Sequence, residues 1–449
     1  MTENVAAPAV LAPPVVDPVS RTRRVGEWLN LHATTIALVA VGLSLLIAGG
    51  YSLVLGGQLR YFDEQVYVGL TRSLAQGHGF TFDNVQPTAY RPPGYSFILL
   101  PVYLVSGGSV LAMRFIGVLA LAGTVWLVFL LGRRAHSPAT GALAALVVAC
   151  YPLLIYTATT LYPQVPALFL LLAMVELGLR AMPGDGRFTG RRAWQATAAG
   201  LLGGLLTLAV PTFGVTVVVL VVWLVWRQWK VARRIAGRTV AVLLIATALL
   251  PAAWCVRNAV QLHAFVPVST NNGINLLLGN STGATPDGGR VEDISSYENA
   301  AARMHLDEVG IDHYYAAQSF DWIRANPGQA AVLFVEKVGN NFAYHNELAT
   351  AGRNSTGQDI VSALTFYPIL LLALLRIVFL RRWPLHPTEK LLIGMLVLNV
   401  VLLAAFYTRL RFRVPLDGLT IVLAASTVGH FLLGPRSPAE LSAGEQRSA

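Results

Sequence analysis

Long apolar stretches separated by short, arginine-bearing polar turns dominate this chain. Ten stretches are long enough, or nearly so, to cross a hydrocarbon core of about 30 Å. They are residues 33–55, 109–131, 139–157, 161–180, 194–210, 212–227, 238–255, 359–380, 389–407 and 415–433. Each is predicted to be helical, because a backbone in lipid must satisfy its own hydrogen bonds. Between 194–210 and 212–227 the turn is left to Pro211 and its neighbours. A shorter apolar piece, 94–106, carries Gly94 and Pro101 and reads as a re-entrant or interfacial segment. Two polar regions interrupt the pattern, 56–108 and 256–357. In the second, 266–280 reads as an extended Asn/Gly-rich segment with turns. Helical periodicity follows over 297–325 and over 328–342, the latter amphipathic through Ala331, Leu333, Phe334, Val335 and Val338 and suited to an interface.

The pattern predicts an all-α polytopic membrane protein. Residues 1–30 are expected as a disordered tail, 31–433 as the transmembrane domain and 434–449 as a second tail. Composition agrees: the chain is 55% hydrophobic and only 12% charged, where a soluble domain carries about 25%. The net charge of +10 sits in short loop clusters, a topology signal rather than a nucleic-acid footprint. With the N-terminus cytoplasmic, Arg21, Arg23 and Arg24, Arg133 and Arg134, Arg180 to Arg192, Arg227 to Arg238, Arg376 to Lys390, and Arg436 and Arg447 all fall inside. The outside turns near 158–160 and 211 carry no such charge, so both termini are expected in the cytoplasm, with no cleaved leader. Cys150 and Cys255 lie in apolar runs and read as buried thiols without a disulfide framework. His78, His263, His305, His313 and His345 lack metal-ligand spacing.

Three outside regions do hold arginine, against the insertion bias, and anion binding would explain that. The first loop reads YFDEQVYVGLTRSLAQGHGFTFDNVQPTAYRPPGYSF over 61–97. Carboxylates at a bilayer edge are costly unless paired or functional. Asp63 and Glu64 point about 100° apart on a helix, so they need not share one role. One could take a proton from an incoming hydroxyl or amine in a cavity shielded from bulk water. Helix capping and ion pairing to Arg60 or Arg72 is the other reading. Arg91 precedes Pro92 and Pro93, which bias it to a stiff extended backbone suited to bidentate phosphate contact. It could equally snorkel to lipid head groups. Arg409, Arg411 and Arg413 would line one side of an extended segment and cradle a phosphate, or pack against anionic lipid. Arg257, Asn258 and Lys337 are lesser candidates. No Gly-rich phosphate loop of the nucleotide-binding kind is present.

DEQVYVGLTRSLAQGHGFTF followed by AYRPPGY resembles the first loop of bacterial GT-C glycosyltransferases, in the group of the dolichyl-phosphate-mannose protein mannosyltransferases and aminoarabinose transferases. That group opens on DExxY, here Asp63, Glu64 and Tyr67, and continues with a basic residue before proline, here Arg91 and Pro92. A GxNLxxGN loop corresponds to Gly273, Asn275, Leu276, Gly279 and Asn280, and a late R-[FY]-R-x-P element to Arg411, Arg413 and Pro415. The resemblance spans most of 30–433. It implies a GT-C-like bundle of about ten transmembrane helices with periplasmic loops, 56–108 and 256–357, in a bacterial inner (plasma) membrane. It further implies inverting transfer of a sugar from a polyprenyl-phosphate donor to an envelope glycan, lipid or protein.

By the same resemblance Asp63 and Glu64 are the catalytic carboxylates, and Arg91, Arg411 and Arg413 hold the donor phosphate. Tyr67, Arg72, Tyr90, Tyr95, Asn275, Asn280, Lys337 and Tyr407 line the substrate pocket. No metal site is assigned; a divalent cation is the one cofactor left open. Gln65 and Val66 stand where some members carry a basic residue. The C-terminal soluble domain of some relatives is expected to have no counterpart, which places acceptor recognition on 256–357. The competing classes are a transporter or flippase of lipid-linked glycans and a catalytically silent subunit. A transporter should show mid-span ionisable groups, and Arg114 and Glu176 are the nearest to that here.

Overall fold

The computed structural model of the protein describes residues 21–182, 187–228, 233–288, 293–345 and 356–435. Among them the chain is helical throughout, apart from turns and one isolated bridge between Thr81 and Pro87. A first long helix, α1 (Arg21–Leu55), leads into α2 (Phe62–Ala75) and α3 (Gly94–Ser106) of the first polar region. Helices α4 (Val110–Ala135), α5 (Pro138–Cys150), α6 (Pro152–Thr159), α7 (Gln164–Arg180) and α8 (Gly190–Ala209) follow. After α9 (Val215–Gln228) and α10 (Arg233–Leu262), the large polar region holds α11 (Asn272–Gly279), α12 (Ser295–Arg303), α13 (Glu308–Ala325) and α14 (Pro327–Asn340). Three more, α15 (Thr356–Val378), α16 (Pro387–Ala404) and α17 (Leu410–Leu433), complete the bundle.

Among the described residues, six helices are long and apolar enough to cross a membrane: α1, α4, α10, α15 with its 3-10 extension to Arg381, α16 and α17. A seventh is available if α5 and α6, bent by 56°, count as one span. The bend falls at Pro152, where proline removes a backbone donor and Tyr151 takes an extended conformation. The other expected spans are helical as α7, α8 and α9 but are not among those six. An all-α polytopic bundle therefore holds, while ten crossings exceed what these helices support by length and composition.

In lipid the hydrophobic effect does not drive helices together, so close packing and small residues must. α17 is the most enclosed of the long helices, packed against α4, α5 and α7, with Leu121, Leu168 and Leu419 fully buried. Gly141 lets α5 press onto α4, since a Cβ there would sit 2.3 Å from the Phe129 carbonyl oxygen. α10 and α15 lie at the periphery and expose apolar side chains such as Ile245, Leu249, Leu364 and Leu371.

Three expectations are corrected. Residues 21–30 belong to α1 rather than to a disordered tail, because the basic run continues directly into the apolar helix; residues 1–20 lie outside the described residues. The 266–280 segment is extended only at its start and helical over 272–279, since the LLL run buries Leu277 against α13. The thiols are not buried: Cys150 is exposed and Cys255 half-buried, both on the outer faces of apolar helices. The amphipathic reading of 328–342 is matched by α14, which exposes Val332 and Val335 and buries Leu333 and Lys337.

Candidate active site

The site is built on the first turn of α2. Glu64, three residues past Tyr61, turns back and accepts from the Tyr61 and Arg60 backbone N–H groups at 3.1 and 2.7 Å. This satisfies donors that a helix start leaves unpaired. Its other oxygen accepts from the Leu161 N–H at 2.9 Å and from Arg114 Nη1 at 3.1 Å. Arg114 is wholly enclosed and also donates to the carbonyls of Thr159, Gly56 and Gln58. One buried ion pair thus ties the α1–α2 turn, α4 and the α6–α7 turn together. Glu64 is consequently removed from the catalytic pair: no part of its side chain is exposed, and the capping alternative describes it.

Asp63, one residue earlier, faces the opposite way. Its Oδ1 accepts from Arg91 Nη2 at 2.7 Å and its Oδ2 from Arg411 Nη1 at 2.6 Å. The carboxylate remains 15% exposed. Burial pushes the Asp63 acid group up, but Arg411 and then Arg91 outweigh burial and hold it below its ordinary value. Two cations against one anion leave the cluster positive. Among the described residues, the Nε–H groups of Arg91 and Arg411 are buried without an acceptor, a costly state that an added anion would relieve.

Arg91 owes its place to the loop before it and the helix after it. Thr88 and Ala89 are held by Glu308 at the start of α13, and Arg257 of α10 donates to the Thr88 carbonyl at 2.8 Å. Past Pro92 and Pro93, Gly94 starts α3 against the end of α8, where a Cβ would come within 2.5 Å of the Leu208–Ala209 backbone. Arg411 lies in the first turn of α17 and stacks over Tyr162, 5.5 Å from the ring centroid. Tyr162 in turn stacks on Tyr61, whose hydroxyl meets that of Tyr156. Tyr67, four residues on from Asp63, is buried edge-on against Tyr95 at 5.1 Å between centroids.

The remaining expected residues divide. Arg413 leaves the phosphate set: it pairs with Asp417 at 3.0 Å, donates to the Ala343 carbonyl and lies over Phe366. Residues 411 and 413 are in a helix, not a strand, so two positions turn the side chain by about 200°. Arg409 is spent on the carbonyls of Asp287 and Gly288. Lys337 and Asn280 leave the pocket as well. The lysine is buried and donates to Gly279 O at 2.5 Å and Asn280 Oδ1 at 3.0 Å, while Asn280 also donates to Ala405 O. These bonds pin the 279–280 turn between α14 and the end of α16.

Tyr407 and Asn275 form a hydroxyl–amide pair at 3.3 Å, and Tyr90 lies beside Arg91, 5.6 Å from the guanidinium. Arg72 is exposed on the last turn of α2, nine residues and about 13 Å along the helix from Asp63, and takes no part in the cluster. Sequence reasoning missed Arg114 as the partner of Glu64, the stacked Tyr61 and Tyr162 beside Arg411, and Glu308. No group of three or more His, Cys, Asp and Glu side chains converges as a metal site among the described residues.

Residues 90–255 match the profile of a family described as dolichyl-phosphate-mannose-protein mannosyltransferase. No curated protein matches the chain by sequence. Among solved structures, the oligosaccharyltransferase AglB of Archaeoglobus fulgidus, in complex with an inhibitory peptide and a dolichol-phosphate, aligns at 14% identity and TM-score 0.52, covering 89% of this chain and 50% of that one. The A. fulgidus enzyme tethered to an acceptor peptide containing the NVT sequon aligns at 14% identity and TM-score 0.53, over 94% of this chain and 54% of that one. ArnT from Cupriavidus metallidurans bound to undecaprenyl phosphate aligns at 16% identity and TM-score 0.40, over 91% and 78%. The chain thus spans about half the length of the archaeal oligosaccharyltransferases it matches. The chain therefore shares its helical fold with the archaeal oligosaccharyltransferase, and residues 90–255 are similar to the dolichyl-phosphate-mannose-protein mannosyltransferase family.

Proposed function

We propose that the protein is a membrane glycosyltransferase that moves a sugar from a polyprenyl-phosphate donor to an envelope acceptor at the periplasmic face, with inversion at the anomeric carbon. The observation that carries this reading is the clasp of Asp63 between Arg91 and Arg411, each with a buried Nε–H still unpaired. One carboxylate cannot saturate two guanidinium forks, whereas a phosphate offers the missing acceptors and the second negative charge.

In this reaction the donor phosphate engages Arg91 and Arg411 and loosens their hold on Asp63. The freed carboxylate accepts the proton of the acceptor hydroxyl or amine as its heteroatom attacks the anomeric carbon. The bond from that carbon to the phosphate oxygen breaks on the opposite face, and its electron pair stays on the phosphate. The two guanidinium groups stabilise the charge that develops there. Loss of the arginine contacts, together with the arriving phosphate charge, raises the basicity of Asp63 when it is needed. Tyr162, Tyr61 and Tyr67 give the pocket an aromatic wall.

The dolichol-phosphate bound by the similar archaeal oligosaccharyltransferase supports this reading. The decisive experiment supplies a polyprenyl-phosphate sugar to membranes carrying wild type or D63N. Transfer should vanish in D63N while the donor still binds; transfer at the wild-type rate would remove Asp63 as the base. The proposed orientation, with both termini cytoplasmic and 56–108 outside, is checked by labelling. A cysteine placed at Asn84, an exposed loop position, should react with an impermeant thiol reagent added to spheroplasts.

A further inference from the structure

Thr88 and Ala89, just before Arg91, do not hold themselves in place. Beside Arg257 on the Thr88 carbonyl and a backbone bond from Thr88 N to Phe80 O, they are held by a carboxylate that lies 219 residues further on in sequence from Ala89. Glu308 Oε2 accepts from the Thr88 hydroxyl at 2.5 Å, and Oε1 accepts from the Ala89 N–H at 2.8 Å and from the Thr270 hydroxyl at 2.6 Å. A backbone bond from Thr270 N to Ala89 O at 3.0 Å closes the same junction. Thr88 Oγ1 also accepts from the Tyr90 N–H at 2.9 Å, which carries the constraint to the residue adjoining Arg91. Beyond Arg91 the prolines and the α3–α8 contact at Gly94 fix the other flank. Arg91 is therefore a rigid span between two anchors, one of them supplied by the large outer region.

A half-buried carboxylate taking three donors from two separate loops is more than α13 needs for its start. Asp307 already caps that helix, accepting from the Gly310 N–H at 2.7 Å. The contacts of Glu308 are with Thr88, Ala89 and Thr270 rather than with the Arg91 guanidinium. Its three donors all belong to the loop before Arg91 or to the Thr270 turn bonded to that loop.

We infer that Glu308 is a positioning residue for the donor phosphate. It locks the Thr88–Ala89 backbone to Thr270 and so aims the Arg91 guanidinium at the phosphate beside Asp63. The inference rests on the assignment of Arg91 to the donor phosphate made above. It makes the large outer region part of donor binding, not only of acceptor recognition. Displacing α13 or Thr270 would retract one arm of the clasp and leave the phosphate on Arg411 alone.

The test is a double-mutant cycle on the full-length protein in nanodiscs, with a short-chain polyprenyl phosphate as the binding probe. E308A should weaken binding about tenfold, the scale of one misplaced charge-assisted contact. E308Q should recover most of that loss, because its amide oxygen still accepts the Ala89 N–H. In an R91A background E308A should add nothing, since the residue it aims is gone. If E308A proves unfolded, T88V replaces it, with an expected loss of about threefold that again disappears with R91A. Wild-type binding by E308A, with weak binding by R91A, would overturn the role of Glu308 alone. Losses that multiply in the double variant would overturn it too, since Glu308 would then act independently of Arg91. Wild-type binding by R91A would instead overturn the Arg91 assignment and the inference with it.

Discussion

Asp63 and Glu64 are consecutive acids on one helical turn, and each meets arginine, yet the two centres they form behave oppositely. Beneath, the Glu64–Arg114 pair is closed: every neighbouring donor and carbonyl is used, and neither side chain is exposed. Above, the Asp63 clasp is open: its partners come from loop and helix ends, all three side chains retain some exposure, and two N–H groups lack acceptors. The lesson is that ion pairing alone does not mark a functional site. A saturated buried pair stabilises a junction, whereas an unsaturated exposed one has capacity left for a ligand.

The comparison can be broken most forcefully at Asp63. D63N should lower sugar transfer roughly 10²–10⁴-fold, the range of a lost general base, with little change in thermal stability. Next comes R114M, which strands the buried Glu64 carboxylate. It should lower stability by about 3–5 kcal/mol, read as loss of monodisperse protein in detergent, whereas R411M should leave the folded yield near wild type. R411K keeps the charge but loses the fork. It should raise the donor KM about tenfold while D63N does not.

A smaller effect at Asp63 is read by pH. The Asp63 carboxyl is held below its ordinary value in the folded state. It therefore stays ionised at pH values where a free carboxyl would protonate. The acid limb of kcat/KM should lie below the ordinary carboxyl range, and R91A or R411A should move it upward. The sign for stability is the same. A depressed folded-state value contributes stability above the unfolded value, lost as pH falls through the folded one. The smallest effect is expected for R72A, exposed on the far turn of α2. Stability should change by no more than about 0.5 kcal/mol, and transfer should not change measurably.

Much of the outline was legible beforehand. Unbroken apolar runs announce helices because lipid offers the backbone no partner, and Asp63, Arg91 and Arg411 stood out as charges at odds with their surroundings. The late R-[FY]-R-x-P resemblance places Arg413 with Arg411, but the helix of α17 turns it away from Arg411 and sends it to Asp417. The GxNLxxGN resemblance puts Asn280 in the pocket and the amphipathic helix offers Lys337 as a lesser candidate, but the two side chains hold a turn together. Glu308 carried no signal at all, since an acid at the start of an outer-loop helix is ordinary.

By itself the sequence determined that the chain is a helical membrane bundle and that a few costly charges at its turns required explanation. Hydropathy and helix formation are local, so a short window is enough to read them. Only the tertiary structure decided which acid faces the open clasp and which is sealed against Arg114, and that Asp63 meets an arginine 348 residues away. Partner choice among charges depends on how helices far apart in sequence come together, and on which groups that packing leaves without a partner.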